Sequence, residues 1–175
     1  TSGDIEIDNT HPTSTSAVES TTGSGDANDG DVFTVTLNPS ETVGTPTCTF
    51  TDTSGAMADT SVEYGTVSDD SHTAAVTVHD TDANGDIGFS CTYSDIAGNA
   101  IGAAITAATS GDIEIDNTHP TSTTAVESTT GSGDANDGDV FTVTLNPSET
   151  VGTPTCTFTD TSGAMADTSV EYGTV

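Results

Sequence analysis

The run TSGDIEIDNTHPTST begins at Thr1 and again at Thr109, a spacing of 108 residues (109 less 1). From there the two copies agree to Val67 and its counterpart Val175, and they differ only where Ser16 faces Thr124. Residues 68–108 occur once. A period of this length is that of a whole domain, well beyond the ~20–50 residues of a solenoid or propeller repeat. Whatever the first copy folds into, the second has the means to begin again. Near-identity between neighbours also points to recent duplication, and to a role in which the number of copies matters more than their individuality.

Within the repeat the apolar residues follow a period of two. Phe33, Val35 and Leu37 alternate with Thr34 and Thr36, and Cys48 and Phe50 with Thr47, Thr49 and Thr51. Val62 and Tyr64 flank Glu63, and Ala74, Val76 and Val78 flank Ala75 and Thr77. Ile87, Phe89, Cys91 and Tyr93 continue the pattern, as do Ile101, Ala103 and Ile105, and then Ile5 and Ile7 with their copies Ile113 and Ile115. Such alternation puts one face of each strand on a core and the other in water. Gly, Asn, Asp and Pro clusters at 23–31, 38–39, 69–70, 82–86 and 97–99 separate the runs as turns. About seven short strands in roughly a hundred residues predict an all-β sandwich. Residues 54–59 have room for one helical turn.

Charge excludes whole classes of partner. The chain has no Lys or Arg against 28 acidic residues, a formal charge of −28. Nothing in it neutralises phosphate, so nucleic acid is excluded, and attraction to anionic membrane surfaces fails for the same reason. High charge with low hydrophobicity is also a signature of disorder. Here the ordered alternation and the abundance of Thr favour folded β structure. No stretch is long and apolar enough to insert in a membrane. With neither a Met start nor a signal peptide, the chain reads as an internal window of something longer.

Three passages carry a resemblance. DTDANGDIGFSCTYSDIAGNA (80–100), followed by an apolar strand and IEIDNTHPT (113–121), is similar to the tandem bacterial immunoglobulin-like repeats of large surface adhesins and extracellular filament proteins. In that family a D-x-A-G-N turn precedes the last strand, and an I-D-x-T-x-P-T segment links that strand to the next domain. GDVFTVTLNPSE (30–41) resembles the family's second strand. There is no Trp, so the buried Trp of antibody-type domains is missing. The resemblance implies an immunoglobulin-like β-sandwich of about seven strands, repeated in tandem. It also sets the frame: residues 1–8 are the end of a preceding repeat's last strand, 9–116 a complete domain, and 117–175 the early strands of an incomplete second one.

Cys48 shares parity with Phe50, and Cys91 with Phe89 and Tyr93, so both thiols face the core. In the immunoglobulin-like arrangement their strands are third and sixth, neighbours in one sheet, and a bond forms only if the two residues lie directly opposite. An even cysteine count per repeat and an extracellular setting favour the disulfide. The alternative is two buried thiols acting as small hydrophobes. Cys156 copies Cys48.

The acidic loops are the strongest chemical signal. Asp80, Asp82, Asn84 and Asp86 place oxygen donors on alternate residues around Gly85, as a Ca²⁺ loop requires. The spacing matches the first half of an EF-hand loop, but the twelfth position is Cys91 and no helices flank it. A second cluster is Asp26, Asn28, Asp29 and Asp31, copied at Asp134, Asn136, Asp137 and Asp139. The linker forms a third, with Asp4, Glu6 and Asp8 copied at Asp112, Glu114 and Asp116. Hard oxygen donors without basic counter-charge suit Ca²⁺. Solvated turn residues of a salt-adapted surface are the competing reading. In the adhesins the chain resembles, calcium at domain junctions stiffens the array, a role the linker cluster would suit.

Catalysis finds no footing. His72 and His79 are seven apart on an expected strand and so face opposite sides, unable to share a metal. His11, beside Pro12, reads as a surface residue. No G-x-S-x-G elbow or paired nucleophile and base stands out, and a glycosidase would lack its aromatic platform. Ice binding by Thr-x-Thr pairs such as Thr34–Thr36 is outweighed by the plain outer face of Thr-rich strands. The expectation is a non-enzymatic extender or filament element on a cell surface, stacked head to tail with copies of itself. The alternative is a module binding a glycan or cell-surface partner. Exposed aromatics would favour the latter, whereas Phe33, Phe50, Tyr64, Phe89 and Tyr93 all fall on core parity. Without Lys there is no Lys–Asn isopeptide bond, so stiffness must come from packing, disulfide, calcium or neighbours.

Overall fold

The structure is a computed structural model that describes residues 7–21, 25–68, 70–128, 135–160, 162–165 and 170–173. It is all-β, with no helix among those residues, and the chain divides into two units, Thr1–Thr118 and His119–Val175.

In the first unit, β1 (Ser14–Ser20), β2 (Val32–Pro39), β5 (Glu63–Ser68) and β6 (Ser71–Thr77) form an antiparallel sheet in the order β1-β2-β6-β5. A second sheet has the order β4-β3-β8, from β3 (Thr47–Asp52), β4 (Gly55–Ala56) and β8 (Gly88–Thr92). A short pair joins β7 (Gly85–Asp86) to β9 (Glu114–Ile115).

The core is built by alternation. Phe33, Val35 and Leu37 of β2 and Ala74 and Val76 of β6 meet Cys48 and Phe50 of β3 and Phe89 and Cys91 of β8 in one apolar cluster. The rings of Phe33 and Phe50 touch edge to face across the sheets at 5.8 Å, worth about 0.5–1.5 kcal/mol beyond the area they bury. Two antiparallel sheets sharing one core are consistent with a β-sandwich. Residues 109–116 close it. Thr109 N–H donates to Ser16 O at 2.8 Å and Val18 N–H to Ser110 O at 3.0 Å, with Ala17 and Ser110 bridged in parallel. Further along, Ala27 N–H donates to Glu114 O at 2.7 Å, while Ile113 and Ile115 sink into the core.

Several expectations are corrected. Residues 54–59 form no helical turn: a tight turn at Thr53–Ser54 folds β4 back on β3, with Asp52 Oδ1 accepting from the Ser54 and Gly55 N–H groups. Asn38 and Pro39 do not break β2, because at its end Pro39 needs no N–H and still pairs with Ser14. Tyr64 is 42% exposed, since β5 is an edge strand with every residue exposed. Its hydroxyl nevertheless accepts from Cys48 N–H at 2.9 Å. Ile101 and Ile105 reach the core through backbone bonds to Tyr93 and Cys91 without forming a continuous strand. Asp69 lies outside the described residues.

The second unit repeats the opening of the first. β10 (Ser122–Ser128) and β11 (Phe141–Pro147) pair from Ser122↔Pro147 to Ser128↔Phe141, the register of β1 and β2 residue for residue. Phe141 and Phe158 recreate the edge-to-face contact at 5.6 Å, and Cys156 N–H donates to the Tyr172 hydroxyl at 3.1 Å as Cys48 does to Tyr64. β12 (Thr159–Asp160) and β13 (Gly163–Ala164) correspond to the β3–β4 turn. Residues 155–158 form no strand although 47–50 do, because β8, the partner of β3, belongs to the part of the repeat that occurs once. Phe141 is accordingly 43% exposed where Phe33 is 1%.

Candidate functional site: an acidic triad

Asp8, Glu41 and Asp95 bring one carboxylate oxygen each within 4.8 Å of one another, the one group of three or more metal-competent side chains among the described residues. They come from the segment before β1, the loop after β2 and the turn after β8. Asp95 is buried, Glu41 half-buried and Asp8 exposed. The D-x-A-G-N turn fixes Asp95. Asn99 donates its N–H to Asp95 Oδ1 at 2.7 Å and its Nδ2 to Oδ2 at 2.8 Å, while Gly98 takes φ 98°. Asn99 Nδ2 also donates to Asp8 O at 3.0 Å, and Asp8 Oδ1 accepts from Thr10 N–H at 2.9 Å. One asparagine thus ties the turn to the segment before β1.

The electrostatics follow from this geometry. Burial opposes ionisation of Asp95, but hydrogen bonds from the Asn99 side chain and the N–H groups of Asn99, Gly98 and Ala97 outweigh it and hold the carboxyl below its ordinary range. Glu41 receives no such bonds. Burial first, then the charges of Asp8 and Asp95, push its carboxyl up. A cation with hard-oxygen preference would remove that repulsion, and three carboxylates with their lone pairs supply the donor type Ca²⁺ takes.

The sequence-based ligand sets are distributed differently. Asp82 is buried with both oxygens engaged, Oδ1 by Ala58 N–H at 2.7 Å and Oδ2 by His79 N–H at 2.8 Å. Asp80 N–H donates to Asp29 Oδ1 at 3.1 Å. Asn84 Nδ2 donates to Asp116 Oδ1 and Thr118 Oγ1, and Asn84 Oδ1 accepts from Asn117 N–H. Asp86 pairs with Glu114 in the β7–β9 ladder, around Gly85 at φ 115°. The 80–86 loop therefore anchors residues 114–118 and does not converge three carboxylates on one point. Asp31 caps its own turn, accepting from Asn28 N–H and the Thr21 hydroxyl, and Asp139 repeats this toward Asn136. Asp26 and Asp112 are exposed. Asp4, Glu6 and Asp134 lie outside the described residues.

Of the triad, the linker reading named Asp8. It missed Glu41 and Asp95, whose approach to Asp8 depends on tertiary folding. The available signal was the D-x-A-G-N turn, read only as a turn. Cys48 and Cys91, opposite one another in the β3–β8 register, are bonded, a feature more typical of extracellular proteins. His72 is buried and His79 exposed, so they do not share a site, and His11 is exposed with Nδ1–H donating to Ala100 O at 2.8 Å. No described helix is long and apolar enough to cross a membrane.

No protein-family model matches the chain, and no curated protein or solved structure is similar enough to indicate a relationship.

Proposed function

We propose that the chain is a non-catalytic extender of an extracellular or cell-surface filament, built of immunoglobulin-like sandwiches repeated head to tail. The observation that carries this reading is the repetition itself. One sequence is used twice, and β10–β11 reproduces the register and aromatic contact of β1–β2. The four-strand sheet facing a three-strand sheet, with Ser110 bridged in parallel to Ala17 of β1, supports the immunoglobulin-like topology. Ca²⁺ at Asp8, Glu41 and Asp95 would clamp the segment preceding β1 onto the body of the domain and so limit bending there. Main strands of up to eight residues at about 3.3 Å per residue span roughly 26 Å, and the end loops and linker bring the expected axial advance to roughly 35–45 Å per domain. Electron microscopy of the native assembly tests the reading. Density repeating along the axis at that spacing is expected, and a globular particle without axial repeat overturns it.

A second reading, a module that binds a glycan or cell-surface partner, is favoured by Tyr64, the half-exposed aromatic on edge strand β5. Carbohydrate-array binding that is lost in Tyr64→Ala would select it.

A further inference from the structure

Asn84 and Gly85 form the single Asn–Gly pair of the chain, and the fold uses each residue for a separate reason. Gly85 takes φ 115°, and a Cβ there would lie 2.8 Å from Thr53 Cγ2, so only glycine fits the turn into β7. Asn84 is exposed but engaged through its side-chain amide. Its Nδ2 donates to Thr118 Oγ1 at 2.7 Å and to Asp116 Oδ1 at 3.2 Å, while its Oδ1 accepts from Asn117 N–H at 3.0 Å. Three bonds from one side chain thus pin the segment that leaves β9. Asn117 Nδ2 adds bonds to His79 O at 2.9 Å and Asp82 O at 3.1 Å.

An Asn–Gly pair is chemically labile. No side chain shields the glycine nitrogen, so it can reach the asparagine Cγ. Attack of the deprotonated Gly85 nitrogen on Asn84 Cγ forms an N–C bond, expels ammonia and leaves a cyclic imide. Water then opens the ring at either carbonyl, giving aspartate or isoaspartate. The balance is amide plus water to carboxylic acid plus ammonia, with no oxidant or reductant. The attack requires the amide to turn toward Gly85, and the bonds to Asp116, Asn117 and Thr118 hold it away from that rotation.

We propose that Asn84 is a site of spontaneous conversion to aspartate, opened when residues 116–118 lift off the 80–86 loop, and that the conversion weakens their return. The product has no N–H to offer Thr118 Oγ1 or Asp116 Oδ1. It also sets a second carboxylate beside Asp116, and the chain has no Lys or Arg to offset the repulsion. The loop keeps its own anchors, since Thr53 Oγ1 donates to Asn84 O at 3.0 Å and Asp82 holds Ala58 and His79. The loss therefore falls on the docked segment. Ammonia departs, so the change is one-way, and the site retains a record of past release. The site is independent of the filament reading.

Peptide mapping by mass spectrometry during incubation of the 175-residue chain at mildly alkaline pH tests the gating. The folded chain is expected to convert at Asn84 at least about tenfold more slowly than the same chain unfolded in urea, because the reactive state is reached only by local opening. Thr118→Val removes the shorter of the two Nδ2 bonds and should raise the folded-state rate several-fold, with the melting transition recorded alongside to verify folding. In the Asn84→Asp chain, the amides of Asp116 and Asn117, which donate to Ala27 O and to residue 84, should lose at least about tenfold in hydrogen-exchange protection while those of Val35 and Leu37 keep theirs. Conversion of the folded chain at the unfolded rate, a rate indifferent to Thr118→Val, or undiminished protection at Asp116 and Asn117 overturns the proposal.

Discussion

Cys48 and Cys91 lie directly opposite each other on β3 and β8, 4.1 Å apart at Cα, and their bond closes a loop 43 residues long in sequence. The loop contains β4, β5, β6 and β7, so the covalent link binds the second sheet together around the excursion that builds half of the first.

Reduction should therefore be costly. Removing a loop constraint of this length destabilises by about 3–4 kcal/mol in the chain-entropy account. Urea unfolding of the chain with and without a thiol reductant is expected to show a lower midpoint in reductant at unchanged slope. A midpoint that does not move would mean that the reduced unfolded state is already constrained.

Asp52 and Asp59 predict an acid limit to stability. Asp52, buried at the end of β3, accepts from Ala83 N–H and from Ser54 and Gly55. The Ala83 bond is the largest influence lowering its carboxyl below the ordinary range. Asp59 is lowered chiefly by Ser61 N–H and then by Thr77 N–H. Both carboxylates bind protons less readily folded than unfolded, so their stabilisation is complete above about pH 4 and is lost as pH falls through the folded values. Asp52→Asn, which leaves donors facing an amide, should cost about 1–3 kcal/mol at pH 7 and flatten the acid limb of a stability–pH curve. An unchanged acid limb would relocate the effect to other carboxylates.

Much of this fold was legible because its inner strands are simple. β2, β3, β6 and β8 alternate Thr or small residues with apolar ones, and their buried faces carry the residues that parity assigns. β1 was not legible, since STSAVES buries Ser16 and Ser20 and offers no apolar rhythm. Ser16 is held instead by backbone and hydroxyl contacts to Thr109 and Ala107. Tyr64 misled because alternation cannot distinguish an edge strand from a central one. The triad was one-third legible: Asp8 stood in an acidic run, whereas Glu41 and Asp95 are isolated acids whose meeting depends on two loops at one end of the sheets.

Glu41 gives the triad a signature in two solutions. Its carboxyl is raised by burial and by Asp8 and Asp95, so its ionisation opposes folding once pH rises through its ordinary range. In chelator at neutral pH, Glu41→Gln should raise the melting temperature by relieving that repulsion. With calcium present the wild-type chain should melt several degrees higher than in chelator, and the substitution should remove most of that rise. Scanning calorimetry at fixed ionic strength reads both. A wild-type transition indifferent to calcium would assign the triad to a salt-adapted surface.

Gly111 offers the sharpest separation between the two copies of one sequence. Its φ of 86° is open to glycine and unfavourable to other residues, and a Cβ would strike the Val18 carbonyl oxygen where residues 109–116 settle beside β1. Gly111→Ala should displace that segment, loosen Ile113 and Ile115 from the core and destabilise the first unit by more than the ~1 kcal/mol of an ordinary glycine-to-alanine mismatch. Gly3→Ala makes the same chemical change in the same local sequence, but the β1 positions that Gly111 approaches in the first unit are already taken by Thr109 and Ser110. At low protein concentration Gly3→Ala should therefore leave the melting transition of the first unit in place, while Gly111→Ala lowers it. Equal losses from the two substitutions would mean that residues 1–8 stabilise the first unit directly.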